Sequence, residues 1–315
     1  MSPLIENLPG MIGRHPSMLE VYRRVRLVAP RQRSVLIVGE TGTGKELVAR
    51  ALHRLGRSRG APFEAVNCAA IPETLAEAEL FGAEKGAYTG SGRNRPGALA
   101  RAHGGTLYLD EVCSMSLAVQ GKLLRAIEDH RFRRVGGQRL ERAEFRVVAS
   151  VSEPLEGLVE RGTFRPDLSY RLRGVVVPVP PLRDRPTDIP DLARRFLTNG
   201  NAEGMAKTLD PGAIRALLAY RWPGNVRELQ ALMETLETLV SEATISAAAV
   251  YRELAIVEAV RGDRRQLAEV LAATDGNVSQ AARASGIPRP TLHRWLREVG
   301  LAPAQHNGRP AKTAR

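Results

Sequence analysis

Residues 34–48 read Ser34-Val-Leu-Ile-Val-Gly-Glu-Thr-Gly-Thr-Gly-Lys-Glu-Leu-Val48, and this stretch decides the fold. Its first five residues are a short apolar run, hence a buried strand. Residues 45–55 have helical periodicity. Between the two, Gly39, Glu40, Thr41, Gly42, Thr43, Gly44 and Lys45 have the spacing of a phosphate loop, in the strand–loop–helix context that the motif requires. Glycines let backbone N–H groups turn inward around phosphate oxygens. The helix that follows adds its positive N-terminal end. Lys45 supplies a charge to the β- and γ-phosphates. Glu46 stands where such loops usually carry a magnesium-contacting hydroxyl, so the ion must lean on a carboxylate elsewhere and on water.

Working outward, Gly105-Thr-Leu-Tyr-Leu109 is a second buried strand, and it ends in two carboxylates, Asp110 and Glu111. Together with the loop upstream, Asp110 is the candidate magnesium ligand and Glu111 the group that orients an attacking water, which implies ATP hydrolysis. Residues 145–150 and 174–178 are two further strands. Strands separated by helical segments predict a parallel sheet covered on both faces. After Pro178-Val-Pro-Pro181 the pattern turns helical, and residues 188–240 read as a small helical domain. The polar, Ala-rich residues 241–250 read as a linker, and residues 302–315 as a disordered tail.

Between them, residues 254–301 read as a compact helical unit. Asn277-Val-Ser-Gln-Ala-Ala282 is a helix, Ala284-Ser-Gly286 a turn, and residues 289–299 a second helix. Leu292, Trp295, Leu296 and Val299 share its inner face by spacing, while Thr291, His293, Arg294 and Arg297 fall elsewhere. This is the layout of a helix-turn-helix.

Composition agrees with a polyanionic partner: 46 basic against 34 acidic residues leave a net charge of +12 over 315 residues,. Cys68 and Cys113 have no second cysteine or histidine at ligand spacing, so neither zinc nor a disulfide framework is expected, which fits a reducing compartment. The first ten residues lack the pattern of a signal peptide. No apolar run approaches the roughly 20 residues needed to span a bilayer. The expected location is the cytoplasm, with no membrane partner.

At these residues the chain resembles the bacterial enhancer-binding proteins, the AAA+ activators of sigma-54 RNA polymerase. The resemblance rests on the phosphate loop through Glu46, Asn67-Cys-Ala-Ala70, Glu79-Leu-Phe-Gly82, Gly86-Ala-Tyr-Thr-Gly-Ser91, Gly104-Gly-Thr-Leu-Tyr-Leu-Asp-Glu111, Phe164-Arg-Pro-Asp-Leu168, Tyr170-Arg-Leu172 and Trp222-Pro-Gly-Asn-Val-Arg-Glu-Leu229. It implies an α/β fold, a AAA+ P-loop parallel sheet over residues 1–181 with a helical lid over 182–245, and an all-α Fis-type helix-turn-helix over 246–301. ATP and Mg2+ are the implied cofactors.

The resemblance also implies roles. Asn67 is expected to hydrogen-bond Glu111 and report nucleotide state. Arg165 and Arg171 are expected to act as fingers on a neighbouring protomer's γ-phosphate, and Arg227 to touch the nucleotide of its own protomer. Gly86, Ala87, Tyr88, Thr89, Gly90 and Ser91 form the expected sigma-54 contact loop, with Tyr88 where the family has Phe and Ser91 where it has Ala. Residues 131–142 resemble a second mobile loop. Val151-Ser152 replaces the usual Thr-Asn of the sensor I position, and Ser152 is the residue left to bond a water or phosphate there. Arg289, Thr291, His293 and Arg294 are the candidate DNA contacts. The implied partners are an upstream activating DNA sequence, sigma-54 RNA polymerase, further copies in a hexameric ring, and a regulatory protein acting in trans, since no receiver segment precedes the ATPase motifs. The altered loop and sensor I motivate a second reading, a DNA-binding regulator of the same descent that no longer works through sigma-54.

Overall fold

The computed structural model describes residues 8–87, 94–199, 207–254, 257, 278 and 280. The chain divides into two compact units after Ala247. In the first unit five parallel strands form one sheet: β1 (Val35–Val38), β2 (Phe63–Asn67), β3 (Thr106–Asp110), β4 (Arg146–Val151) and β5 (Val175–Pro178), in the order β2-β3-β4-β1-β5. Alternation along each strand sorts the side chains, because successive residues point to opposite faces. Leu36, Leu107, Leu109, Val147, Ala149 and Val151 enter one core with helices α3 (Glu73–Phe81), α4 (Leu117–Asp129) and α5 (Pro166–Leu172). Val35, Ile37, Tyr108 and Val148 enter the other, with α1 (Pro16–Val28) and α2 (Lys45–Arg54). The phosphate loop therefore leaves the sheet from β1, whose two neighbours are β4 and β5.

Four of these strands match the apolar runs in the sequence to within a residue. Edge strand β2 was not expected. Only Val66 of its five residues is buried, so Phe63-Glu-Ala-Val-Asn67 carries too little apolar signal to stand out.

Arg146 opens β4 and is 5% exposed. Its guanidinium donates to the carbonyls of Val28 (3.1 Å), Ala29 (2.8 Å), Arg33 (3.3 Å) and Leu52 (3.4 Å). It thus closes the C-terminal ends of α1 and α2, where carbonyls lack intrahelical partners and the dipole favours a cation. Burial pulls its pKa below the ordinary arginine value. Arg146→Ala strands several of these acceptors and is expected to destabilise the fold by about 3 kcal/mol. Thermal unfolding followed by circular dichroism should show the midpoint lowered by about 10 °C; a shift under about 2 °C would contradict the assignment.

From residue 182 onward the first unit is built around α6 (Ile189–Asn199), α7 (Pro211–Ala219) and α8 (Asn225–Leu239). Asp210 caps α7 through Ala213 N–H, with Pro211 in the first helical position,. Trp222 is fully buried and donates its indole N–H to Leu217 O at 2.8 Å. The expectation of helix alone is corrected by a short parallel pair, Thr208–Leu209 with Thr244–Ile245. The same pair corrects the linker expected over residues 241–250: Ile245 is completely buried. Polar, Ala-rich composition marks low apolar content, but one isoleucine and two backbone bonds suffice to dock the strand. Of the expected helix-turn-helix motif at 277–299 only Val278 and Gln280 are described, both helical; the candidate DNA contacts Arg289, Thr291, His293 and Arg294, and the tail, lie outside the described residues.

Candidate nucleotide site

The loop between β1 and α2 is shaped by two glycines. Gly42 has φ +82°, and a β-carbon there would lie 2.3 Å from Gly224 O; Gly44 has φ +100°. No L side chain fits the first, and both conformations favour glycine. The amides of Thr41, Gly42, Gly44, Lys45 and Glu46 find no acceptor among the described residues, which leaves a row of donors at the start of α2. That is the arrangement an anion requires. Thr43 is buried and donates its hydroxyl to Glu40 O at 2.7 Å. Glu46 turns outward and pairs with Arg50 at 2.6 Å, so it adds nothing to a cation site.

Lys45 is 6% exposed and donates to Gly39 O and to Glu111 Oε1, both at 2.8 Å. Loop lysine and strand-end carboxylate are therefore already in contact. Glu111 has φ +51° and ψ +52°, a left-handed conformation that is uncommon for a residue with a side chain and that clusters at functional sites. Asp110 lies in register with Asn67 of β2. Its Oδ1 accepts from Tyr108 OH at 2.8 Å and from Ser150 Oγ, and Ser150 Oγ also accepts Glu111 N–H at 3.2 Å. Burial pushes the Tyr108 phenol far above its usual pKa, so it is a neutral donor.

One expectation needs correction here. Asn67 does not bond Glu111: its Oδ1 accepts the N–H groups of Ala69 and Ala70 at 3.1 and 3.2 Å. The Lys45 ammonium is the stronger partner for a carboxylate, and the asparagine satisfies its own turn instead. At the end of β4, where Ser152 is exposed, the hydroxyl that reaches the carboxylates is that of the fully buried Ser150. Its signal was visible as the one polar residue among Val147, Val148, Ala149 and Val151.

The helical segment closes over the loop from the other side. Gly42 O accepts the N–H groups of Val226 (3.0 Å) and Arg227 (3.3 Å), the first turn of α8. Asn225, fully buried with φ +54°, donates to Glu40 Oε2 and Thr41 O at 3.1 Å and accepts Leu182 N–H at 2.8 Å. Glu40 also takes both ends of the Arg183 guanidinium, at 2.6 and 2.8 Å, and that pairing holds its pKa below the usual carboxylate value. Arg185 is buried and donates to Thr43 O at 3.0 Å. A cavity of about 220 Å³ beside the loop is lined by Ile12, Thr43, Gly44, Leu47, Arg185 and Val226, among others. The sequence motif at Trp222–Leu229 pointed to Arg227, and the phosphate loop to Glu40; the structure adds Asn225, Arg183 and Arg185.

Arg165 precedes α5 and pairs with Asp167 at 2.8 Å, and its N–H is held by the buried Gln120. Arg171 donates to Ile127 O at 3.2 Å. Neither touches the phosphate loop of its own chain. Of the expected contact loop, Gly86 and Ala87 are described, while Tyr88, Thr89, Gly90 and Ser91 lie outside the described residues. The base of that loop is tied to the hairpin Arg131–Arg133/Leu140–Arg142: Glu84 N–H donates to Val135 O at 3.0 Å and Val135 N–H to Gly82 O at 2.8 Å. Its two ends are joined by Lys85 N–H to Asn94 Oδ1 at 2.8 Å.

A five-stranded parallel sheet with a glycine-lined phosphate loop, a contacting Lys–Glu pair and a helical lid defines a phosphate-loop nucleotide-binding protein of the AAA+ class. The comparisons narrow this. Residues 11–178 match the sigma-54 interaction domain, 183–266 the AAA+ ATPase lid domain, and 262–298 the bacterial regulatory protein, Fis family. The chain belongs to the sigma-54 activator family. It is 40% identical to the DNA-binding transcriptional regulator NtrC of Azospirillum brasilense, over 94% of this chain and 70% of the relative. It is 46% identical to the Nif-specific regulatory protein of Azotobacter vinelandii, over 75% of this chain and 45% of that one. Among solved structures, NtrX from Brucella abortus in complex with ATP is similar, with TM-score 0.71 and 35% identity over 92% of this chain and 69% of that chain. The RuvB Holliday junction branch migration motor of Thermotoga maritima, at 17% identity and TM-score 0.53 over 92% of this chain and 88% of that one, shares the fold. Among the described residues no helix is long and apolar enough to cross a membrane.

Proposed function

We propose that the chain is a cytoplasmic transcription activator that hydrolyses ATP between neighbouring protomers of a ring, hexameric by family resemblance, and uses the cycle to remodel sigma-54 RNA polymerase at the promoter. The observation that carries this reading is the convergence of Lys45, Asp110, Glu111 and the first turn of α8 on one phosphate loop. Lys45 and the amides of residues 41–46 hold the phosphates. Glu111 orients a water and accepts its proton on the carboxylate. Arg165, half-buried, and Arg171, exposed, neither in contact with the loop of its own chain, reach the neighbouring protomer's γ-phosphate and make hydrolysis depend on assembly.

Magnesium fits the donor set. No three His, Cys, Asp or Glu side chains among the described residues come together to hold a metal, and magnesium is usually held by one or two carboxylates with phosphate oxygens and water. Asp110 is the residue that would hold it, and the ion would supply neutralising charge to the β- and γ-phosphates. Arg227 completes the site from the lid. The segment 86–91, with Tyr88 and Thr89 at its tip, makes the contact with sigma-54, and Arg289, Thr291, His293 and Arg294 hold upstream DNA.

In vitro transcription with sigma-54 holoenzyme on a supercoiled cognate promoter should show open complexes that require hydrolysable ATP. ATP turnover and DNA binding without any open complex would instead support a regulator that does not act through sigma-54.

A further inference from the structure

We propose that Tyr108 and Ser150 form a hydroxyl clamp on Asp110 that orients this carboxylate toward the magnesium ion of the bound nucleotide, making both positioning residues for the ATPase site. The inference rests on the reading of Asp110 as the magnesium ligand.

The clamp follows from strand parity. Tyr108 and Asp110 are two residues apart on β3, and Val148 and Ser150 two apart on β4, with Tyr108 and Val148 in register. All four side chains thus point to one face of the sheet. Tyr108 and Ser150 are 1% and 0% exposed, so neither hydroxyl is solvated and each needs a partner within the protein. Both converge on the same atom, Asp110 Oδ1, and they stand 3.1 Å from one another. With Oδ1 engaged twice, Oδ2 is left without a hydrogen-bond partner among the described residues. The carboxylate plane is therefore fixed, with a single oxygen available to a cation. Ser150 also accepts the amide of Glu111, so one hydroxyl positions the metal ligand and, through the backbone, the residue that orients water. A second hydrogen-bonding shell of this kind commonly governs metal affinity.

The test uses the full chain with ADP and Mn2+ as a paramagnetic probe of the magnesium position. Tyr108→Phe, Ser150→Ala and the double variant each remove only an oxygen, and thermal unfolding checks that they fold. By electron paramagnetic resonance, Mn2+ affinity of the ADP complex should fall about tenfold in the double variant, and by less in each single variant. ADP affinity measured in EDTA should stay within about twofold of wild type, because Lys45 and the loop amides are untouched. Mn2+ affinity in the double variant within about twofold of wild type overturns the clamp and assigns the hydroxyls to packing alone. Wild-type chain that binds ADP but no Mn2+ displaceable by magnesium overturns the role of Asp110 and the clamp with it. Wild-type chain that binds no ADP at all overturns the nucleotide site itself.

Discussion

Lys45→Ala is expected to weaken ATP binding by about 100-fold or more. The ammonium is nearly enclosed and bonds Gly39 O and Glu111, so its removal takes the positive charge from the phosphate site and leaves the Glu111 carboxylate beside it. Truncating one partner of a buried, hydrogen-bonded charge pair commonly costs about 2–5 kcal/mol, and tenfold in affinity corresponds to about 1.4 kcal/mol. Repulsion between the stranded carboxylate and the γ-phosphate acts in the same direction. Calorimetric titration with ATP and Mg2+ gives the affinity directly, and far-UV circular dichroism shows whether the fold is kept. A folded variant that binds ATP within about threefold of wild type would remove Lys45, and with it the phosphate-loop assignment.

Glu111→Gln should separate binding from turnover. Loss of a positioned base lowers the rate of such reactions by about 10²–10⁴-fold, and single-turnover hydrolysis should fall within that range. Binding should move the other way. In the wild-type chain Glu111 holds Lys45 at 2.8 Å and competes with phosphate for it. A neutral glutamine competes less, since a hydrogen bond to a charged group exceeds a neutral one by about 1 kcal/mol. ATP affinity should therefore rise about fivefold. Unaltered turnover would take the water-orienting role from Glu111, and weaker rather than tighter binding would show that the Lys45–Glu111 pair helps the site instead of guarding it.

The contact of α8 with the phosphate loop shows how a lid can sense the loop without touching a ligand. Gly42 O receives two amides from the first turn of α8, and Asn225 joins Glu40, Thr41 and Leu182. Any movement of the loop carbonyls therefore loads the end of a 15-residue helix. In the proposed ring, that is a direct mechanical route from phosphate to lid. The hairpin at 131–142 is bonded in the same way to the base of the 86–91 segment.

What the amino-acid order determined by itself is what depends on neighbours along the chain. The phosphate loop, the runs at β1, β3, β4 and β5, the paired acids Asp110 and Glu111, and the helical character after residue 181 all follow from spacing within a few residues, because period and glycine placement are local properties. Tertiary structure alone decided which groups meet. Ser150 reaches Asp110 across 40 residues, Arg146 reaches Ala29 across 117, and Asn225 reaches Glu40 across 185. Those partners depend on strand order and register, and on which face of the sheet each side chain takes. For the same reason Asn67, which closes a strand the apolar pattern did not reveal, bonds its own turn: a motif names a residue, but the nearest strong charge chooses its partner,.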